Sequence, residues 1–262
     1  MYSSKPKESV KFSFTTSTIS LKNLFDTLHV FKNECQLVVD KNGIKIVEFN
    51  AGKNILTKIL LSSEKFDNYF CESEIRILFG IQDMINQLNK NIAKNFTIKN
   101  PKITIQMLQT HELCVLDENN IIDAKINLIE NLDESRKNDF SNFHKFTCDM
   151  QKYVNIIDML SWNNKIIKLE INNGECQFSN VCSESGKFTF TFKDSNKNTE
   201  HVELFFKKDD IRLSTKLHNL SDELTIYSKN DFPLVFEIKL ESGNLLMFVN
   251  PISVDNNLLN IS

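Results

Sequence analysis

One unit, written twice, constrains this chain more than any single motif. From Ser20 to Ser62 the sequence reads helix, strand, tight turn, strand, strand. Ser20 is placed to cap a helix whose Leu21, Leu24, Phe25 and Leu28 fall at i, i+3, i+4 and i+7, one apolar stripe on one face. Glu34 to Val39 and Ile44 to Phe49 read as strands joined through Asp40-Lys41-Asn42-Gly43, where Asn-Gly supplies the positive φ of a tight hairpin. Ile55 to Leu61 continues the sheet. From Met150 the order returns: Met150, Tyr153, Val154, Ile157 and Leu160 make the stripe, Lys165 to Ile171 a strand, Asn173-Gly174 the turn, and Glu175 to Ser179 and Lys187 to Phe192 further strands. Leu21 to Gly43 is 22 residues and Tyr153 to Gly174 is 21, so the chain predicts two copies of one design.

The 262 residues reach the length at which one core stops growing and a chain divides. With 41% hydrophobic and 25% charged residues, each half can bury a core of its own. A net charge of −3 and a pI near 6.0 exclude a polycation that coats nucleic acid, so any DNA contact must be local. The six cysteines (Cys35, Cys71, Cys114, Cys148, Cys176, Cys182) form no CxxC pair and mostly lie in apolar runs, which points to buried thiols in a reducing compartment. Met1 to Glu8 is polar and lacks a signal peptide's apolar core. No run reaches membrane-spanning length, so the expectation is an intracellular protein with no membrane partner.

Taken in order, residues 1–9 read as a loose tail and Val10 to Phe14 as a first strand. Glu74 to Phe79 is a strand leading into a second helix striped by Ile81, Met84, Ile85 and Leu88; Phe96 to Ile98 reads either as strand or as loop insertion. Three strands follow, Ile103 to Leu108, Leu113 to Asp117 and Ile121 to Leu128. Glu130 to Lys145 is almost wholly polar and breaks both periods, so it is read as an interdomain linker between domains at 1–129 and 146–262. The second half closes with His201 to Phe206, a fourth helix carrying Leu213, Leu217 and Leu220, and strands at Glu223 to Ser228, Leu234 to Leu240 and Leu245 to Val249. Strands joined without crossover helices imply antiparallel sheets. The predicted class is therefore α+β, two like domains each with two helix-plus-sheet halves.

Catalytic signatures are missing from the sequence. It holds no Gly-rich phosphate loop, no HExxH and no GxSxG, and His29, His111, His144, His201 and His218 are scattered. Asp209-Asp210 opens a helix, where acids suit the dipole. No enzyme, metal site or cofactor is expected.

In Leu21-Lys22-Asn23-Leu24-Phe25-Asp26-Thr27-Leu28, Asn33-Glu34, the Asn42-Gly43 turn, Phe66-Asp67-Asn68-Tyr69-Phe70-Cys71, Phe232-Pro233-Leu234-Val235-Phe236-Glu237-Ile238-Lys239-Leu240 and Pro251, the chain resembles the DNA sliding clamps of the proliferating cell nuclear antigen family. The resemblance covers about Thr16 to Ile252 and rests on order, spacing and length together. It implies three identical subunits closing head to tail into a ring, with helices lining the hole and sheets outside. It implies as partners double-stranded DNA held without sequence specificity, DNA polymerase and other peptide-motif proteins, and a clamp loader. The setting it implies is the nucleus or a viral replication compartment. The alternative is a clamp-fold processivity, transcription or checkpoint factor that works as monomer, dimer or hetero-oligomer.

Carried over residue by residue, the resemblance places Lys22, His29, Lys90, Lys152, Lys208, Arg212 and Lys216 toward DNA. Phosphate contacts there let a ring slide, whereas base contacts would pin it. Asn86, Asn89, Asn155, Asp158 and Asp209 stand where the family carries basic residues, so weak intrinsic DNA affinity is expected. A partner-peptide pocket is implied at Phe49, Leu56, Phe140, Phe143, Pro233, Phe248, Val249, Asn250 and Pro251, with core packing the alternative for Phe49 and Phe248 and the favoured one for Leu56. The linker lacks the family's Gly-Ile-Pro segment. Subunit contact is implied between the edge at Asp123, Lys125 and Asn127 and an edge at Cys176, Phe178 and Val181.

Overall fold

A computed structural model describes residues 10–108, 113–116, 121–124, 139–160, 165–180, 190–193 and 200–253, with backbone alone at 108, 121–124 and 190–193. The chain forms two compact units. The first takes Met1–Glu48, Ile59–Asp133 and Glu241–Gly243; the second takes Phe49–Lys58, Glu134–Leu240 and Asn244–Ser262.

The first unit holds β1 (Val10–Ser17), α1 (Thr18–His29), β2 (Glu34–Asp40), β3 (Gly43–Phe49), β5 (Asn68–Cys71), β6 (Ile75–Gly80), α2 (Ile81–Lys94), β7 (Lys102–Leu108), β8 (Leu113–Leu116) and β9 (Ile121–Ala124). It also takes the later half of β4 (Ile55–Ser62). One antiparallel sheet runs β5-β1-β7-β8-β9 and the other β6-β2-β3 with that half of β4. Leu21, Leu24, Phe25 and Leu28 of α1 and Ile81, Met84, Ile85 and Leu88 of α2 are all buried, as their spacing requires. The two helices meet where the Thr18 hydroxyl donates to Asn91 Oδ1 at 3.0 Å, both residues being buried.

The second unit holds β10 (His144–Asp149), α3 (Met150–Leu160), β11 (Ile166–Asn172), β12 (Glu175–Asn180), β13 (Phe190–Lys193), β14 (Val202–Lys207), α4 (Lys208–Ser214), a 3-10 helix (Thr215–Asn219), β15 (Glu223–Ser228), β16 (Leu234–Leu240) and β17 (Gly243–Val249). Its sheets run β13-β12-β11-β14 and β10-β15-β16-β17, the latter joined by the early half of β4. Tyr153 sits at the centre, its ring 6.0 Å from Phe178 and 5.7 Å from Phe236. The Tyr153 and Ser214 hydroxyls lie 2.6 Å apart and the Ser214 hydroxyl donates to Ile211 O at 2.6 Å, so α3 is tied to the end of α4 inside the core.

Each of the four described α-helices follows its strand without a connecting loop, and all four junctions are closed alike. The first helical N–H donates to the carbonyl of the residue that opens a neighbouring strand: Thr18 to Pro101 (2.9 Å, before β7), Ile81 to Asn33 (2.8 Å, before β2), Met150 to Asp222 (2.8 Å, before β15) and Lys208 to Lys165 (2.9 Å, before β11). Each satisfies a helix-start donor that would otherwise be orphaned. Within each unit the two helices exchange this contact with each other's returning strand, which is the internal twofold repeat expressed in hydrogen bonds. The described fold is α+β, with antiparallel sheets and four α-helices among the described residues.

Several details differ from expectation. Ser17, at φ −62° and ψ 125°, caps α1, its Oγ accepting from Ser20 N at 3.3 Å; the Ser20 hydroxyl instead donates to Glu241. Strand β10 starts at His144, inside the stretch assigned to the linker, because the buried His144 ring bonds the Glu200 carbonyl at 2.8 Å. Residues 95–100 are turns and bends, so Phe96 to Ile98 is no strand. Strand β5 was not expected, and the fourth helix tightens into 3-10 geometry after Ser214. The tail at 1–9, most of the linker, and Lys125, Asn127, Val181 and Cys182 lie outside the described residues.

Candidate nucleic-acid face and peptide-docking site

Among the described residues, the solvent sides of the helices mix cations with acids and neutral amides. Lys22 of α1 is paired with Asp26 one turn on. Below it His29 is half-buried, and its Nδ1 has no described hydrogen-bond partner. Lys90 on α2 is exposed, as are Arg212 and Lys216 at the fourth helix; Lys152 is exposed on α3 and Lys208 is half-buried. Between these cations the helices present neutral amides. Gln82 Nε2 donates to Asn86 Oδ1 on α2, and Gln151 Nε2 to Asn155 Oδ1 on α3, each at 3.0 Å and each an i,i+4 pair. The acidic residues Asp158 and Asp209 are exposed alongside.

The aromatic cluster lies wholly in the second unit. Phe143, Tyr227, Val235, Leu246 and Phe248 are buried together, and Leu56 and Phe140 pack half-buried against them. Phe140 is the hub: its ring stacks on Tyr227 at 4.7 Å, meets Phe143 edge-on at 5.2 Å and tilts against Phe248 at 6.4 Å. Phe232 stands edge-on to Phe143 at 4.9 Å and remains 37% exposed. Alternation along β15 turns Tyr227 toward the cluster, where its hydroxyl donates to Glu237 at 2.7 Å. Burial and that neighbouring carboxylate push the Tyr227 phenol well above its usual range.

The structure brings Leu56, Phe140, Phe143 and Phe248 together. Phe49 is half exposed, at 50%, and so is not core; Pro233 and Pro251 are half-buried and Val249 is fully buried. The Asn250 N–H is already donated to Asn54 O at 3.0 Å, so this amide is not open to an incoming peptide. Tyr227, Phe232, Lys58 and Lys229 belong to the same surface and were not anticipated. Lys58 Nζ lies 5.1 Å from the Phe248 centroid and Lys229 Nζ 5.7 Å from that of Phe143. Only the Phe232-Pro233 pair carried a sequence signal for this.

The sheet edges shift one expectation. β9, which holds Asp123, ends its sheet. β12, however, is paired on both sides, to β11 and to β13, so Cys176 and Phe178 lie on an interior strand with both side chains fully buried. Among the described strands the edge on that side is β13, which pairs with β12.

No family model matches the chain. It is 26% identical over 237 residues to a protein of Acanthamoeba polyphaga mimivirus described as a probable DNA polymerase sliding clamp, covering 82% of this chain and 48% of that protein. The chain thus spans about half the length of this relative. An uncharacterised protein of the same virus is 26% identical over 253 residues, covering 91% of this chain and 77% of its own length. In sequence and in fold class the chain resembles the DNA sliding clamps of the proliferating cell nuclear antigen type.

Proposed function

We propose that this protein is a viral-type DNA sliding clamp, a tether rather than a catalyst. Three copies close into a ring around duplex DNA and hold a DNA polymerase to its template. The observation that carries the reading is the fourfold strand-to-helix junction with its four equivalent amide hydrogen bonds, since it sets four helices in two like pairs. In the ring, the solvent sides of the helices face phosphates through Lys22, His29, Lys90, Lys152, Lys208, Arg212 and Lys216, and the neutral amides between them leave the duplex free to slide. Subunits join by strand pairing between the β9 edge and the β13 edge of the next copy. Partner peptides dock on the aromatic cluster of the second unit. A clamp loader opens the ring, and the site of action is the nucleus or a viral replication compartment.

The test is primer extension on a circular single-stranded template with and without the protein, alongside light scattering of the purified chain. A homotrimer that lengthens polymerase products supports the reading. A stable monomer that still lengthens them supports the second reading, a clamp-fold factor working without a closed ring, which the low cation content of the helices favours.

A further inference from the structure

The turn after α2 displays an aromatic side chain that the fold does not use. Phe96 is 82% exposed, more than any other large apolar side chain among the described residues, and Ile98 beside it is 45% exposed. The turn itself is held. The Asn95 amide donates to the Asn91 carbonyl at 3.1 Å, the Ile98 amide to the Asn95 carbonyl at 2.8 Å, and the Ser17 hydroxyl to Asn100 Oδ1 at 2.8 Å. These bonds anchor the turn to α2 at one end and to the β1–α1 junction at the other, with Phe96 and Thr97 at the corner between them.

The surroundings of the ring are cationic. Between Asp83 and Glu112 the chain carries four lysines and no acidic residue, although its net charge is −3. Lys102 pairs with Asp67 at 2.9 Å, while Lys90, Lys94 and Lys99 are exposed. Lys90 and Lys94 are four apart on α2 and share one side of it, a stripe that leads from the DNA-facing position proposed for Lys90 to the turn. Lys99 follows Phe96 on the other side. Ammonium groups for phosphates and an open ring for the base between them are the two parts of a single-strand site. A duplex cannot use the ring, because stacking already covers its base faces.

We propose that this turn binds single-stranded DNA next to the duplex, Phe96 stacking on an unpaired base while Lys90 and Lys99 meet phosphates on either side of it. The inference rests on the reading that α2 faces DNA and adds the unpaired strand to it. Every base has a ring face, so the contact carries no sequence preference.

The experiment is fluorescence anisotropy of the full chain with two labelled strands of equal length and charge, oligo-dT and an abasic chain with the same phosphates. Oligo-dT is expected to bind more tightly by at least about fivefold. Both affinities fall as salt rises while their ratio holds, since phosphate contacts are screened and stacking is not. In Phe96→Leu, which keeps an apolar side chain but no ring, the ratio falls toward one; in Phe96→Trp it holds or grows. With the unaltered protein, irradiated bromodeoxyuridine in the strand crosslinks to the peptide that carries Phe96. Equal binding of both strands by the unaltered protein overturns the stacking role. So does a preference for oligo-dT that survives in Phe96→Leu, or a crosslink confined to other peptides. If neither strand binds, the inference falls. Primer extension with light scattering then decides whether the clamp reading falls with it, because a homotrimer that lengthens products leaves that reading standing.

Discussion

Gly43 is held at φ +144°, and a Cβ built there would lie 1.9 Å from the Leu61 carbonyl oxygen. Gly43→Ala is therefore expected to destabilise the protein by about 1–3 kcal/mol in urea titrations. Gly52→Ala, whose Cβ would meet only the Asn54 side-chain tip at 2.7 Å, should cost much less. Beside this turn, burial acts to raise the Asp40 carboxyl. The Lys45 ammonium at 2.8 Å and the Asn42 amide at 2.7 Å outweigh it and hold the group below its usual value. A depressed folded value contributes stability above the unfolded value, about 3.9, and loses it as pH falls through the folded one. Asp40→Asn should therefore lower the urea midpoint at neutral pH and flatten its decline below about pH 4. The turn glycine was legible in the sequence because Asn-Gly is a local signal. The lysines over the rings were not, because residues far apart in the chain create each contact: Lys58 with Phe248, and Lys229 with Phe143.

At the scale of elements, the stripes of α1 and α2 were read correctly because burial follows a period that spacing alone reveals. On α3, however, Ile156 is buried in place of the half-buried Val154, and on the fourth helix Ile211 and Leu217 are buried while Leu213 and Leu220 are half-buried. Strand β5 escaped notice since its four residues, Asn68 to Cys71, are none of them buried, and their alternation between exposed and half-buried is not written as alternating polar and apolar residues. The cap of α1 was displaced by one turn, because Ser17 and Ser20 are both plausible caps and only the bond from Ser20 N to Ser17 Oγ decides between them. The edge of the second unit's smaller sheet depended on whether β13 returns to β12, which no local pattern encodes. The tie between α3 and α4 makes a sharper prediction. Ser214→Ala removes the only described partner of the buried Tyr153 hydroxyl, so it should cost about 1–3 kcal/mol. Tyr153→Phe together with Ser214→Ala should recover part of that loss, a double-mutant coupling readable in chemical denaturation.

For the whole molecule, the proposed clamp reading makes a prediction about salt, because the described helices carry acids and neutral amides among their cations. The slope of log affinity against log salt should be shallow, and Asn86→Lys with Asn89→Lys should steepen it by about 2 for each copy whose second helix meets phosphates. A steep slope in the unaltered protein would contradict the picture of a ring retained by closure. The two units also trade chain: Phe49–Lys58 is built into the second and Glu241–Gly243 into the first. Severing the gene within the linker would consequently not release two autonomous modules. Each fragment would lack a piece that the other carries, so the halves should complement only when expressed together, and hybrids that swap halves between related chains must also match at these two short inserts.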